Sequence, residues 1–192
     1  MGRAVSQRLS GYTRQPDDRY DTPAWVVESL LPHVPPPPLS VWEPAAGGGK
    51  VARVLSAAGF LVRATDIRDS GDFLMMHDDA EAVITNPPYG KAAEFIAHAL
   101  ARTRRAGGLV AMLLRTDFDH ARSRTHLFGG CKQFSKKLVL TRRIVWFERP
   151  GAAPSYNHAW FIWSWRHSGP PIIAYQRQPD DELPKQQLWG AA

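Results

Sequence analysis

Short apolar runs alternate with amphipathic stretches through most of the chain. Four runs have the length of buried strands, at residues 39–42, 60–65, 82–85 and 109–114. Between them, apolar residues recur at helical spacing in 23–31, 50–58 and 92–105. The run at 109–114 is apolar throughout, which is typical of a central strand in a parallel sheet. This alternation of strand and helix predicts an open, mostly parallel α/β sheet with helices on both faces.

Threonine, proline and glycine mark where the predicted helices begin and end. Thr22 before Pro23 indicates a helix start, with Thr22 as the N-cap and Pro23 at the first helical position. Gly59 suits the C′ position after the second helix, and Gly107 with Gly108 ends the third. Three further strands are predicted, at 138–140, 144–147 and 159–165. Because no helix separates these strands, we expect an antiparallel edge on the sheet.

The length of 192 residues is enough for one domain with a sizeable core. Residues 1–19 are polar and without period, which predicts a flexible N-terminal arm. We assign 20–176 to the folded domain and 177–192 to a polar C-terminal tail. No stretch approaches the ~18 consecutive apolar residues of a membrane helix. Cys131 is the only cysteine, which excludes an internal disulfide and favours a reducing, cytoplasmic setting.

Positive charge is concentrated in one part of the sequence. The formal net charge is +6, and half of the 24 Lys and Arg residues fall between Arg102 and Arg149. Only Asp117, Asp119 and Glu148 oppose them in that stretch. Such a cluster is the electrostatic footprint of a nucleic-acid binder, although a basic surface kept for solubility has the same composition. A phosphate polymer is therefore the leading partner.

A glycine-rich turn, residues 43–49, follows the first predicted strand and opens a helix. Ligands of open α/β sheets bind at the carboxyl ends of the strands, near the point where the strand order reverses. A phosphate-binding loop would need a glycine at Pro44 and a hydroxyl at Val51, so this interpretation fails twice. The dinucleotide-binding pattern fits if Ala52 takes its third glycine position, and it stays open as an alternative.

Acidic residues follow the first two predicted strands, where a ligand would lie. Glu43 could face the positive charge of an ammonium or sulfonium group. Asp66 ends the second strand about 20 residues after the glycine turn, where a carboxylate can bind both hydroxyls of a ribose. Asp72 and Phe73 offer a carboxylate for an adenine amine and an aromatic ring for its face.

The third predicted strand leads directly into Asn86-Pro87-Pro88-Tyr89. An exocyclic amine is a poor nucleophile because its lone pair is delocalised, and it gains positive charge as it attacks. The Asn86 side-chain carbonyl and the Pro87 backbone carbonyl could accept both amine hydrogens, and fixed dipoles of this kind stabilise developing charge. The prolines restrict the backbone. Tyr89 could stack on the face of the nucleobase that carries the amine, such as adenine. An ordinary turn of the same composition is the alternative.

In their order along the chain, these motifs resemble those of class I S-adenosylmethionine-dependent amino-methyltransferases of the N6-adenine type, in particular small single-domain forms from phages and bacteria. The resemblance covers residues 20–165. It implies an α/β, Rossmann-like class I methyltransferase fold, with S-adenosyl-L-methionine as cofactor. The catalytic residues that it implies are Asn86, Pro87, Pro88 and Tyr89. The cofactor-binding residues that it implies are Tyr20, Thr22, Pro23, Glu43, Pro44, Ala45, Gly47, Gly49, Asp66, Ile67, Asp72, Phe73 and Asn86.

The sequence departs from this family in three respects. Ala46 stands where relatives often carry cysteine, and Gly48 stands where they often carry an acidic residue. A separate target-recognition domain, which relatives with this motif order usually append, has no counterpart. Only residues 116–137 are placed to serve as a recognition loop. We therefore expect low sequence specificity.

The substrate-binding candidates are Tyr89, Arg115, Arg122, Arg124 and His158. Arginine contacts to phosphates position a nucleic acid without reading its bases. Arg142-Arg143 and Trp146-Phe147 could add a stacking rim, although core or edge packing is favoured for these aromatic residues. The histidines lack the spacing of metal ligands, so no metal site is predicted.

The predicted function is methylation of adenine N6, in DNA more than in RNA, on a base flipped from its stack or taken from a single strand. An RNA adenine or a protein glutamine amide, as in release-factor methyltransferases, would be methylated by the same chemistry. A non-catalytic nucleic-acid-binding protein on this fold is the alternative from another class. No membrane partner is predicted, and the sequence carries no signal of an oligomeric state.

Overall fold

A computed structural model of the chain describes residues 21–146 and 156–176. Within these ranges the helices are α1 (Ala24–Glu28), α2 (Lys50–Ala57) and α3 (Ala92–Thr103). The strands are β1 (Ser40–Glu43), β2 (Leu61–Ala64), β3 (Ala82–Thr85), β4 (Leu109–Arg115), β5 (Phe134–Val139), β6 (His158–Ser164) and β7 (Ile172–Tyr175). The predicted arm at 1–19 and tail at 177–192 lie outside the described residues. In the described part of the chain, no helix is long and apolar enough to cross a membrane.

The strands form one mostly parallel sheet with the order β2-β1-β3-β4-β6-β5-β7. β1 pairs in parallel with β2 and β3, and β3 pairs in parallel with β4. β6 is antiparallel to both of its neighbours, β4 and β5, whereas β5 and β7 are parallel. The last residues of the six parallel strands and the first residues of β6 therefore meet at one edge of the sheet, here called the carboxyl edge. The antiparallel part of the sheet is thus confirmed. It is a single strand, β6, which lies between β4 and β5.

Each face of the sheet has its own hydrophobic core, because successive strand residues point to opposite faces. α1 and α2 pack on one face through residues such as Val26 and Leu55. α3 packs on the other face through residues such as Phe95. Neighbouring residues of β3 show the alternation, since Val83 belongs to the second core and Ile84 to the first. Helices on both faces of the sheet are therefore confirmed.

The strand order reverses at β1. The chain leaves β1 through α2 and reaches β2 on one side, and it then returns to β3 on the other side. β1 and β3 pair at Val41–Ala82 and Trp42–Val83, which is one residue short of Glu43. In sheets of this kind a ligand binds at the carboxyl edge beside such a reversal. The ends of β1 and β3 are therefore the first place to look for a functional site.

The start of α1 differs from the prediction. Pro23 occupies the N-cap position, and no side chain caps the helix. The prediction that Thr22 is the N-cap is wrong, because its hydroxyl accepts a hydrogen bond from Asn86 instead. α1 also ends earlier than predicted, and the chain passes through a 3₁₀ turn at Leu31–His33. Pro32, inside that turn, lacks the N–H that a longer α-helix would need.

The outer strands also differ from the prediction. The strand predicted at 144–147 is wrong for 144–146, which have no regular structure, and Phe147 lies outside the described residues. The hydrophobic pattern does not predict β7, which pairs in parallel with β5. β7 takes the place beside β5 that a strand at 144–147 would need. Ile144 is nevertheless fully buried, because it packs into the core from a loop.

Gly108, in the turn between α3 and β4, has no room for a side chain. A Cβ at this position would overlap the backbone carbonyl oxygen of Glu81 and lie 3.3 Å from the Cβ of Thr103. We expect Gly108→Ala to lower the free energy of unfolding by about 1–3 kcal/mol, because overpacking against backbone is relieved only by moving the strands. Gly129→Ala is the matched control, since a Cβ there meets nothing within 4 Å among the described residues. Urea unfolding followed by tryptophan fluorescence measures both variants, and equal stabilities would contradict the expectation.

Candidate active site

Two polar residues end neighbouring strands where the strand order reverses. Glu43 is the last residue of β1, and Thr85 is the last residue of β3. Both are 0% exposed, and the Thr85 hydroxyl donates a 2.5 Å hydrogen bond to Glu43 Oε1. Glu43 Oε2 has no hydrogen-bond partner among the described residues. Because an unpaired buried oxygen is costly, this atom is a candidate to receive a donor or a positive charge from a ligand.

The surroundings of Glu43 change its acidity. Burial raises the pKa of Glu43 to about 7, and the negative charge of Asp66 adds to the rise. The hydrogen bond from the Thr85 hydroxyl and the nearby Ala45 backbone N–H act in the opposite direction. Glu43 therefore exchanges its proton near neutral pH. A positive group beside it would favour the carboxylate form.

The glycine turn after β1 is held to Asp66, which follows β2. The Gly47 N–H donates to Asp66 Oδ2 at 2.9 Å, and Arg68 Nε donates to Asp66 Oδ1 at 2.7 Å. The hydrogen bond from Arg68 is the main reason that the pKa of Asp66 lies below its usual value. Gly47 and Gly49 have φ angles of 52° and 75°, a region that favours glycine. A charged carboxylate and an open backbone turn are therefore fixed side by side.

Gly48, in the same turn, is covered by the segment that precedes α1. A Cβ at Gly48 would overlap the carboxylate of Asp21. Asp21 also lies 3.8 Å from Lys50 Nζ. Asp21 thus adds a carboxylate beside the glycine turn, although it was not among the predicted site residues.

The residues after Asp66 lie partly on the surface and partly in the core. Ile67 is 61% exposed directly beside Asp66. Asp72 Oδ1 accepts from the Leu74 backbone N–H at 3.0 Å, and its Oδ2 lies 3.6 Å from Lys91 Nζ. Phe73 is 2% exposed and belongs to the core on the α3 face. The Phe73 ring is therefore packed in the core, whereas Ile67 and Met75 are exposed apolar side chains.

One end of the Asn86 amide is hydrogen-bonded, and the other end has no hydrogen-bond partner among the described residues. Asn86 follows β3, and its Nδ2 donates to Thr22 Oγ1 at 3.2 Å. Thr22 is itself buried, so it supplies a fixed acceptor. The buried Asn86 Oδ1 has no hydrogen-bond partner among the residues that the structure describes. This arrangement presents an oriented acceptor oxygen next to the pair formed by Glu43 and Thr85.

Tyr89 and His158 meet across the site. Tyr89 begins a short 3₁₀ turn after Pro88, and its hydroxyl lies 3.0 Å from His158 Nε2. His158 is the first residue of β6 and is 1% exposed. Burial lowers the pKa of His158 to about 4. His158, a predicted substrate-binding residue, is thus a buried hydrogen-bond partner of the Tyr89 hydroxyl.

Arginines gather at the carboxyl ends of β4 and β5. Arg115 ends β4, donates twice to Asp117 at 3.1 and 2.6 Å, and places its guanidinium 4.1 Å from the centre of the Tyr156 ring. Arg142 and Arg143, which follow β5, are both exposed. This part of the carboxyl edge carries exposed arginines, whereas Asp66, paired with Arg68, follows β2 at the other end.

The two arginines of the predicted recognition loop lie on a 3₁₀ segment, Arg122–Leu127. Arg122 is exposed at its start. The Arg124 guanidinium stacks 3.9 Å from the centre of the Phe118 ring. Leu127 belongs to the core on the α3 face and so anchors the end of this segment. Arg115 is itself the last residue of β4, at the carboxyl edge.

The structure brings together most of the cofactor residues expected from the sequence. Pro44 is buried behind the turn, and Ala45 and Pro23 are half-buried, while Tyr20 lies outside the described residues. Thr85 was not among the predicted site residues. A threonine at the end of an otherwise apolar strand was the available signal, since a buried hydroxyl needs a partner. In the described part of the chain, no group of three or more His, Cys, Asp or Glu is arranged to hold a metal ion.

The fold is similar to those of solved methyltransferases. A candidate RNA methyltransferase from Pyrococcus horikoshii matches with a TM-score of 0.62 at 14% identity, over 82% of this chain and 92% of the other. A candidate class I S-adenosylmethionine-dependent methyltransferase from Listeria monocytogenes matches with a TM-score of 0.57 at 15% identity, over 82% of this chain and 64% of the other. The modification subunit of a candidate type I restriction enzyme from Vibrio vulnificus gives 0.53 at 16% identity, over 84% of this chain and 48% of the subunit.

These similarities establish the fold, which is the Rossmann-like class I methyltransferase fold. The chain spans nearly the full length of the Pyrococcus protein, but only 64% of the Listeria protein and 48% of the Vibrio subunit. No protein-family model matches the sequence, and no curated protein matches it significantly. The geometry of the site therefore has to carry any statement about activity.

The buried carboxyl of Glu43 makes stability depend on pH. A carboxyl whose pKa rises on folding contributes its full stabilisation below the unfolded value of 4.5, and loses it as the pH rises through about 7. The contribution of Glu43 to the free energy of unfolding should therefore fall from about pH 5 to about pH 8, by up to about 1.4 kcal/mol per pH unit. Buried His158, whose pKa is lowered to about 4, acts in the opposite direction below about pH 6.5, so the effect is read as the difference between wild type and a Glu43 variant. Glu43→Gln should remove this fall, because the amide has no charge to bury. Urea titrations across the pH range measure the difference.

Glu28→Gln is the control for this experiment, because Glu28 is exposed at the end of α1. It should keep the wild-type dependence on pH. An identical slope in Glu43→Gln and wild type would show that Glu43 does not titrate in this range.

Proposed function

We propose that the chain is an S-adenosylmethionine-dependent N-methyltransferase that methylates adenine N6 in a nucleic acid, with DNA as the first candidate. The observation that carries the proposal is the Asn86 amide. Its Nδ2 donates to Thr22, and its Oδ1 is buried without a partner among the described residues, at the end of β3. An acceptor held in this way can bind a hydrogen of the target amine while the nitrogen gains positive charge. The Pro87 backbone carbonyl would accept the other hydrogen.

The residues at the ends of β1 and β2 fit S-adenosyl-L-methionine. When bound, this cofactor supplies a methyl group on a positively charged sulfur. Glu43 Oε2 is available to a positive group, and the oxygens of Asp66 keep lone pairs for ribose hydroxyls beside the Gly47 N–H. Ile67 offers an exposed apolar surface for the cofactor's adenine. The class I methyltransferase fold supports the same assignment.

The proposed reaction is a single displacement. With the cofactor bound, the adenine nitrogen would form a bond to the methyl carbon, the bond from that carbon to sulfur would break with its electron pair left on sulfur, and the nitrogen would lose one proton to solvent. Asn86 and Pro87 orient the amine, and Tyr89 supports the base. Holding nitrogen and methyl carbon in line at about 3 Å is itself a large part of such an acceleration.

The charge distribution along the carboxyl edge supports a nucleic-acid substrate. The exposed Arg142 and Arg143 follow β5, on the other side of Asn86 from Asp66 and the glycine turn. Phosphates would be attracted to these arginines. A glutamine side chain of a protein gains nothing from such a basic rim.

RNA is the second candidate, because the same rim would contact its phosphates. The similarity to a candidate RNA methyltransferase, with a TM-score of 0.62, supports RNA as much as the type I modification subunit supports DNA. A 2′-hydroxyl contact is what would separate the two acceptors.

We expect Asn86→Ala to lower kcat at least about 100-fold, because it removes an acceptor aimed at the developing charge. Cofactor affinity should change little, since Glu43 and Asp66 remain in place. Transfer of labelled methyl groups to adenine-containing DNA and RNA measures kcat, and calorimetry measures cofactor binding. Wild-type rates from Asn86→Ala would contradict the mechanism.

Thr22→Val is the companion to this variant. It keeps the shape of Thr22 but removes the oxygen that accepts from Asn86 Nδ2. The amide is then free to turn, and kcat should fall about tenfold, which corresponds to the loss of one hydrogen bond. A loss that appears only in thermal stability would show that Thr22 supports the fold and not the orientation of Asn86.

We expect the double variant Arg142→Ala with Arg143→Ala to weaken nucleic-acid binding without changing cofactor affinity. The plot of log affinity against log salt should become flatter by about 1 to 2, since each lost phosphate contact removes a released counterion. Arg105→Ala is the control. Its side chain is 87% exposed, but Arg105 lies between α3 and β4, at the opposite edge of the sheet from Asn86. A similar loss in both variants would indicate a diffuse charge effect rather than a binding rim.

A further inference from the structure

We propose that His158 is a positioning residue, which holds the Tyr89 ring in the orientation needed to stack on the acceptor base. This inference rests on the proposed function, in which Tyr89 is the base-stacking residue. It assigns to His158 a role in which the histidine contacts neither the cofactor nor the base.

Hydrogen bonds fix which nitrogen of His158 carries a proton. Nδ1 lies 3.2 Å from the backbone carbonyl oxygen of Tyr156, and Nε2 lies 3.0 Å from the Tyr89 hydroxyl. A carbonyl oxygen can only accept, so Nδ1 must be the protonated nitrogen. Nε2 of the neutral ring is then an acceptor, and the Tyr89 hydroxyl donates to it. The direction of the Tyr89–His158 hydrogen bond is thereby set.

The His158 ring is itself held in place. It is 1% exposed, and the Trp146 ring packs edge-on against it with the ring centres 5.2 Å apart. Its backbone is in register with Arg115 of β4, as the first residue of β6. Burial also lowers its pKa to about 4, so the ring is neutral at physiological pH. A ring that is neutral and enclosed gives Tyr89 an acceptor that does not move.

Tyr89 is consequently restrained at both ends. Its backbone lies in the 3₁₀ turn that follows Pro88, and its hydroxyl is bound at the tip of the ring. The Tyr89 ring lies 6.1 Å from the His158 ring at an angle of 29°. A tyrosine ordered before the substrate arrives loses less entropy when a base stacks on it. The hydrogen bond thus stabilises the ring orientation in advance of binding.

Two other roles for His158 fit the structure less well. A direct contact with the base is excluded by the burial of the side chain, which is 1% exposed. A general base is not favoured, because both ring nitrogens are already within hydrogen-bond distance of Tyr89 and Tyr156. What remains is an action through Tyr89.

The test compares two amide substitutions. His158→Gln can place an amide oxygen near the position of Nε2, and therefore keeps an acceptor for Tyr89. His158→Asn is shorter and removes the acceptor that Nε2 supplies. We expect His158→Asn to raise KM for the nucleic acid about 3- to 10-fold, as for the loss of one hydrogen bond, with kcat and cofactor affinity nearly unchanged. His158→Gln should restore most of the wild-type KM.

The Tyr89→Phe background supplies the control. If His158 acts through the Tyr89 hydroxyl, His158→Asn should have little further effect on KM once that hydroxyl is gone. Equal effects in both backgrounds would overturn the inference, and so would a loss of thermal stability without a change in KM.

A measurement that needs no methyl transfer separates this inference from the proposed function. The ring ¹⁵N shifts of His158 should show a protonated Nδ1 and an unprotonated Nε2, and the Nε2 signal should move in Tyr89→Phe. A protonated Nε2 would overturn the inference even in an active enzyme. If the wild-type protein transfers no methyl group, the proposed function fails, and the role of His158 is tested by base stacking alone. A 2-aminopurine base in single-stranded DNA loses fluorescence when it stacks on the protein. Weaker quenching by His158→Asn than by His158→Gln would support the positioning role, and equal quenching would overturn it.

Discussion

The hydrogen bond from Thr85 to Glu43 joins the ends of β1 and β3, where the strand order of the sheet reverses. Both side chains are fully buried, so the bond is protected from water, and burial raises the pKa of the carboxyl to about 7. Because β1 and β3 stop pairing one residue earlier, this side-chain contact continues the connection between the two strands. The glycine turn leaves β1 directly after Glu43, and Asn86 leaves β3 directly after Thr85. The relative position of the two halves of the site therefore depends on this contact.

Neighbouring side chains then orient the groups that would do the chemistry. Thr22 accepts a hydrogen bond from the Asn86 amide nitrogen, and the amide oxygen has no partner among the described residues. Arg68 and Gly47 hold Asp66 as a charged carboxylate. In the proposed reaction the cofactor would bind beside Asp66, and the nucleic acid would bind beside the exposed arginines that follow β5. Asn86 and Asp66 are thus each held by hydrogen bonds to neighbouring residues.

The sequence predicted the part of the fold in which apolar runs and glycine turns agree. β3 has the predicted bounds, Ala82–Thr85, and Gly59 adopts the left-handed conformation expected after α2. Thr22 shows where local signals fail, since its hydroxyl could serve a helix end or a distant partner, and the tertiary contact with Asn86 prevailed. β7 has exposed residues on both faces, Ile172, Ile173 and Tyr175, so its strand has no buried side to create a pattern. Pairings between side chains distant in sequence, such as Glu43 with Thr85, lie beyond any local pattern.

The central claim is that Asn86 Oδ1, which has no hydrogen-bond partner among the described residues, accepts a hydrogen bond from an amine of a nucleic-acid base. The most direct test incubates the protein with labelled S-adenosyl-L-methionine and, separately, with DNA, RNA and a cell-protein extract, followed by digestion and mass spectrometry of the labelled product. The account predicts N6-methyladenine from a nucleic acid, and no such product from Asn86→Ala. Label found only as N5-methylglutamine, or no label in any acceptor, would contradict it.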